Sequence, residues 1–229
     1  MIVILIVFMI VGFFVSSRLK SKFKKYSQVG LKSGLSGREI AELMLRDNGI
    51  YDVKVMSVEG QLTDHYNPGN KTVNLSPEVY GGRSAAAAAV ASHECGHAVQ
   101  HATAYSFLEF RSAMVPIQNL SAKVLNFLMI GMFLFGSMVY SMGLDTIFLV
   151  VVIAQGVITL FALVTLPVEF DASKRALAWI DERGIVTKEE HVMAKDALHW
   201  AAMTYVVAAI SAITQLLYFV MMFMGANRD

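Results

Sequence analysis

His93, Glu94 and His97 stand at a spacing that can do metal chemistry. Residues four apart on a helix share a face, so the two imidazoles can reach one ion, and Glu94 stays close to whatever else that ion holds. This is the outline of a hydrolytic zinc site, in which three protein ligands leave a fourth position open to water. Chance also produces such spacings, so a third ligand elsewhere must complete the site. The chain offers Glu169, Asp171, Asp181, Glu182, Glu189, Glu190 and the remaining histidines. His101 continues the His93/His97 stripe but lies about 12 Å from His93 by helix rise and cannot share the ion. Glu169 is the best placed donor: it follows Pro167 at the end of an apolar run, where an isolated carboxylate calls for a metal or cation. From position alone, an acid at a helix start accounts for Glu169 equally well.

The element that must carry the motif is a helix. Residues 83–103 are rich in alanine, the strongest helix former, and no proline interrupts them. Upstream, Ser36 with Glu39 three residues on predicts a capping box, and Asn48-Gly49 predicts the end of that helix. Residues 53–58 alternate at period two, and 62–66 and 72–75 are further short strands, with turns at Gly60 and Asn67-Pro68-Gly69-Asn70. A small antiparallel sheet before the motif helix is expected. Ser76-Pro77 reads as a cap with proline at the first helical position.

Composition sets the surroundings. Hydrophobic residues make up 55% of the chain and charged residues 16%, against about 25% charged in soluble domains, which points to a membrane. The net charge is +1 and no dense basic patch is interleaved with aromatics, which excludes nucleic acid as a partner. The single cysteine, Cys95, excludes an internal disulfide framework and reads as a buried small hydrophobe.

Four apolar runs follow from hydropathy: residues 1–17, 124–142, 146–168 and 201–225. The first lacks a basic residue before it and is followed by Arg18, Lys20, Lys22, Lys24 and Lys25, the reverse of a cleaved signal, so it is an anchor with its N-terminus outside. The second and third are joined by Gly143-Leu144-Asp145 and form a hairpin. Polar residues of the fourth, Tyr205 among them, read as interhelical bonding groups. Thirteen Lys and Arg lie in residues 16–123, five in 169–200 and none in the hairpin turn, which makes both rich segments cytoplasmic. The expected protein is therefore a mainly α membrane protein. Four transmembrane helices carry a small α+β cytoplasmic domain that holds the zinc site, with a short antiparallel sheet. Its segments are an anchor at 1–17, a cytoplasmic part at 18–123 with the motif helix, a hairpin at 124–168, a cytoplasmic segment at 169–200 and a last span at 201–225.

Five groups of residues carry a family resemblance: Leu62-Thr63-Asp64-His65-Tyr66-Asn67-Pro68, Asn74-Leu75-Ser76 with Val79-Tyr80, His93-Glu94-Cys95-Gly96-His97-Ala98-Val99-Gln100, Leu166-Pro167-Val168-Glu169-Phe170-Asp171-Ala172-Ser173, and Thr204-Tyr205-Val206. Together they resemble the YugP-like membrane zinc metalloproteases of bacteria, over nearly the whole chain. More distantly the chain is similar to the HtpX-type membrane proteases, which are gluzincins. There, two His of the helical motif and a Glu from a later helix bind zinc. That resemblance implies Glu169 as the third ligand and a bacterial inner-membrane location. One departure stands out, because the HtpX-type enzymes place an Asp four residues after the ligand Glu to support a zinc-binding His, and here that place holds Ser173. Ser173, or a remote acid such as Asp64, then has to orient the imidazole; Asp171 points to nearly the opposite side of the helix.

The expected chemistry is peptide-bond hydrolysis by a zinc-activated water, with one Zn2+ per chain, Glu94 as general base, and proteins or peptides as substrates. His65, Tyr66, Arg175 and Tyr205 are the residues considered for oxyanion or substrate contacts. Residues 62–66 precede the motif helix as the substrate-binding edge strand does in gluzincins, and an extended peptide could add there. The lipid bilayer is the other partner; membrane proteins or a second copy of the chain stay open. The competing reading is a membrane scaffold or assembly factor that keeps zinc for stability, against which stands Glu94, a base that a structural zinc has no use for.

Overall fold

The computed structural model describes residues 1–136 and 143–226. The end of the second apolar run, at 137–142, and the tail with Arg228 lie outside the described residues. In chain order the elements are α1 (Ile2–Ser27), α2 (Gly37–Asp47), β1 (Lys54–Ser57), β2 (His65–Asn67), β3 (Thr72–Leu75), α3 (Pro77–Tyr80), α4 (Ala85–Ala102), α5 (Ser106–Leu134), α6 (Leu144–Glu182) and α7 (Lys188–Ala226). The protein is mainly helical, with four long apolar helices and one three-stranded sheet.

Contacts divide the chain into two compact units. The first comprises Met1–Gly12, Phe110–Leu166 and Tyr205–Asp229. Its side chains point outward in a way water would penalise: Phe127 is 78% exposed and Phe133 88%. The polar groups inside it turn to the backbone instead, with Thr159 Oγ1 donating to the carbonyl of Ala212 at 3.1 Å and to that of Gln155 at 2.8 Å. Helices α1, α5, α6 and α7 are each long and apolar enough to cross a bilayer. They also run further than hydropathy suggests. The basic stretch after residue 17 continues α1 to Ser27, and α6 passes through Pro167 and carries the charged segment on to Glu182. The charged residues 188–200 open α7 and lead into the fourth apolar run without a break.

The second unit comprises Phe13–Glu109 and Pro167–Thr204. Its core is built on small residues: Ala85 to Ala89 of α4 are buried and pack with Ile40 and Met44 of α2, Val73 and Leu75 of β3, Val79 of α3 and Ile180 of α6. Alanine lets helix backbones approach closely, so α4 lies at the centre with neighbours on nearly every side. Helix α2 begins as expected, with Glu39 N–H donating to Ser36 Oγ and Ser36 N–H donating to Glu39 Oε2. Pro77 opens α3, but Ser76 does not cap it; its hydroxyl and N–H go to Asp64.

The sheet corrects the expectation of an antiparallel one. Its order is β1-β3-β2, with β2 antiparallel and β1 parallel to β3. Three strands that alternate in direction are all antiparallel only when they lie in chain order; with β3 inserted between the others, the first and third become neighbours and run the same way. β3 takes the centre because it is the strand buried along most of its length, while β1 is largely exposed. β2 is also shorter than the 62–66 run. Leu62 has a φ of 56°, a left-handed conformation that no strand accommodates, and the strand begins at His65.

Candidate metal centre

Helix α4 starts at Ser84, whose side chain accepts from Ala87 N–H, and runs without interruption to Ala102. Its periodicity sorts the motif onto different faces. Cys95 turns inward, fully buried, its Sγ 3.6 Å from the carbonyl of Ala41, and burial pushes its thiol pKa far up. This is a packing residue. Glu94, 8% exposed, faces the sheet and accepts from the N–H of Tyr66 at 2.9 Å. His93 and His97 stand side by side, ring centroids 4.8 Å apart.

Glu169 reaches them from α6. Its Oε2 lies 3.3 Å from His93 Nε2 and 3.6 Å from His97 Nε2, with the side chain only 5% exposed. The approach depends on Gly96, because a Cβ there would sit 2.6 Å from the carbonyl oxygen of Ala172, closer than any real contact. The glycine between the histidines lets α6 come against α4.

The three ligand atoms fit a metal. Among the described residues, His93, His97 and Glu169 are the group of potential ligands found together, their donor atoms within 4.8 Å of one another. A tetrahedral zinc with bonds of about 2.0–2.2 Å separates its ligand atoms by roughly 3.3–3.6 Å, and the two separations from Glu169 Oε2 to the imidazole nitrogens fall there. Charge agrees. Burial by itself would raise the Glu169 pKa, but the two imidazoles outweigh it and hold the carboxyl well below the ordinary range. Burial likewise lowers His97, and the bond to Glu169 with the nearby charge of Glu94 reverses that, leaving it raised. A buried anion facing two imidazoles draws in positive charge, which a divalent cation supplies.

The imidazoles are held from behind. Ser173 Oγ lies 3.1 Å from His93 Nδ1, so the serine at the departure from the HtpX-type pattern does face a histidine of the candidate site. Asp64 does not; it is engaged with Ser76. His97 Nδ1 meets Gln100 Oε1 at 3.0 Å. Gln100 is fully buried, and its amide nitrogen donates to the carbonyl of Val168 at 2.8 Å and to Asp171 Oδ2 at 2.9 Å. With both acceptors on the nitrogen end, the amide can present only oxygen to His97, so His97 carries its proton on Nδ1 and keeps Nε2 free for a metal. Asp171 is in turn held by Arg175 Nε at 2.6 Å, and the guanidinium lies over the Tyr105 ring. Reading the sequence gave Gln100 no role, although a buried-side polar residue three positions after His97 is a signal that could have found it.

The residues considered for oxyanion contacts scatter. The Tyr66 hydroxyl pairs with His101 Nδ1 at 2.8 Å, and its ring packs on the His101 ring. His65 is exposed, its Nδ1 at 2.8 Å from the carbonyl of Thr63. Arg175 is taken by Asp171. Tyr205 falls in the first compact unit.

Residues 1–224 match the family described as "Putative neutral zinc metallopeptidase". The chain belongs to that family. It is also 41% identical over 218 residues to the Bacillus subtilis (strain 168) protein named "Putative membrane protease YugP", a match covering 95% of this chain and 94% of the relative. No solved structure matches the chain. The family's description fits the donor set found here, since two imidazoles and a carboxylate are ligands zinc favours.

Proposed function

We propose that the protein is a membrane-integrated zinc metalloendopeptidase that hydrolyses peptide bonds of proteins at the cytoplasmic face of a bacterial inner membrane. The observation that carries this is the juxtaposition of Glu94 with a His93-His97-Glu169 group whose donor atoms lie within 4.8 Å of one another, Glu169 Oε2 at 3.3 and 3.6 Å from the two imidazoles. His93 and His97 through Nε2 and Glu169 through Oε2 hold one Zn2+ per chain. Zinc there supplies Lewis acidity, making a water nucleophilic near neutral pH and polarising the scissile carbonyl.

Glu94 takes the proton of the attacking water and returns it to the leaving amine. Its Oε2 is held by the Tyr66 N–H, which fixes the carboxylate and assigns the proton to Oε1. Among the described residues strand β2 pairs with β3 alone; on its other edge the Tyr66 N–H is taken by Glu94, and the backbone groups flanking Tyr66 would receive an extended substrate. The four apolar runs, residues 1–17, 124–142, 146–168 and 201–225, cross the bilayer, carried by α1, by α5 as far as Leu134, by α6 and by α7. Residues 18–123 and 169–200 then lie on the same, cytoplasmic side, by the distribution of Lys and Arg.

The test is Glu94→Gln, which keeps size and hydrogen bonding and cannot accept a proton. At equal zinc occupancy, cleavage of an unfolded protein should fall by about 10²-fold to 10⁴-fold. Equal cleavage by both proteins removes the base from Glu94; wild type that cleaves no member of a broad panel favours a zinc-holding scaffold.

A further inference from the structure

A cavity of about 470 Å³ opens between residues 170–181 of α6 and 191–202 of α7. That volume is in the range of small-ligand sites. Its wall residues recur every three or four positions on each helix, so one face of α6 meets one face of α7. The floor is apolar, with Leu177, Leu198 and Ala202. Lys174 and Lys195 stand exposed at the rim, and among the described residues neither pairs with a carboxylate. Asp181 is the one acid among the lining residues, so Lys174, Lys195 and that carboxylate together leave one net positive charge.

Depth in the membrane gives the ligand its class. Lys174 lies six residues beyond Val168, where the third apolar run ends, and Lys195 six before Ala201, where the fourth begins. On a helix that is about 9 Å from the hydrocarbon edge on both sides. The headgroup layer occupies roughly 5–8 Å of each face, and the flexible lysine stems reach back into it.

We propose that this cavity holds the phosphodiester headgroup of one anionic phospholipid, its charge on Lys174 and Lys195 and its apolar part over Phe170 and Ala202 on the membrane side. Basic pockets between membrane-entering helices on the cytoplasmic side bind such headgroups. A single phosphodiester charge matches the single net charge of the wall. The cavity also includes Ser173, the partner of His93, so the lipid sits against the residue that steadies a metal ligand. The proposal rests on the membrane placement given above.

The test uses the full chain purified in detergent and loaded with phosphatidylglycerol or phosphatidylcholine, with bound lipid counted by native mass spectrometry. Lys174→Gln/Lys195→Gln is compared with wild type and with Arg46→Gln/Lys54→Gln, an exposed pair that does not line the cavity. Wild type and the control pair should retain one phosphatidylglycerol in preference to phosphatidylcholine, and the cavity variant should lose that retention by about tenfold or more. Millimolar inorganic phosphate should not displace the lipid. Equal retention by wild type and the cavity variant overturns the proposal, as does displacement by phosphate, which makes the site one for a soluble anion. Carbonate washing of membranes checks the spans separately: a chain that washes off refutes the membrane placement itself, whereas an integral chain without the preference refutes only the lipid site.

Discussion

Gln100 Oε1 lies 3.0 Å from His97 Nδ1 with the rest of its amide bound to Val168 and Asp171 of α6. One buried side chain thus sets the tautomer of a candidate ligand on α4 and ties it to the helix that carries Glu169. Gln100→Leu removes the acceptor from His97 and the amide from the Val168 carbonyl, while Asp171 keeps Arg175, so zinc affinity should fall about 10-fold to 100-fold. Competition with a chromophoric chelator measures it, and nitrogen NMR of His97 should lose the Nδ1–H signature. Unchanged affinity would show that His97 is oriented by other means.

Ser173 makes a weaker hold on His93, because a hydroxyl accepts or donates equally well and does not by itself choose the tautomer. Ser173→Ala is expected to cost about tenfold in zinc affinity, and Ser173→Asp to restore or exceed the wild-type value. If Ser173→Ala binds zinc as tightly as wild type, the 3.1 Å contact has no part in holding the metal.

Gly96→Ala probes the approach of the two helices. The added methyl would lie 2.6 Å from a backbone oxygen that no side-chain rotation can move. Overpacking of this kind costs about 1–3 kcal/mol, and the widened spacing should carry Glu169 away from the histidines. Thermal denaturation with and without zinc should show a lower Tm and a smaller zinc-induced rise. A full zinc-induced rise in the variant argues that the helices have room to spare.

Topology is testable with single cysteines, since Cys95 is fully buried and gives little background. In intact cells an impermeant maleimide should label Leu144→Cys and spare Asp52→Cys and Glu189→Cys. Labelling of the last two instead would place the metal-binding side outside.

What the sequence determined by itself is local. His93 and His97 share a face because a helix repeats every 3.6 residues, and the alanines, Ser84, and the Ser36/Glu39 pair define helices from neighbouring residues alone. The apolar runs announce four long helices because a bilayer requires about 20 apolar residues in succession. Glu169 could be singled out, but only the fold brings it within 3.3 Å of His93, and only through a glycine whose function is to be absent as a side chain. The parallel pairing of β1 with β3 was equally out of reach, since strand order depends on which strand the core buries most. The same holds for Gln100. Its bond to His97 is one helical turn away, but its buried partners lie on α6, and contacts between residues so distant along the chain leave no period or spacing to read.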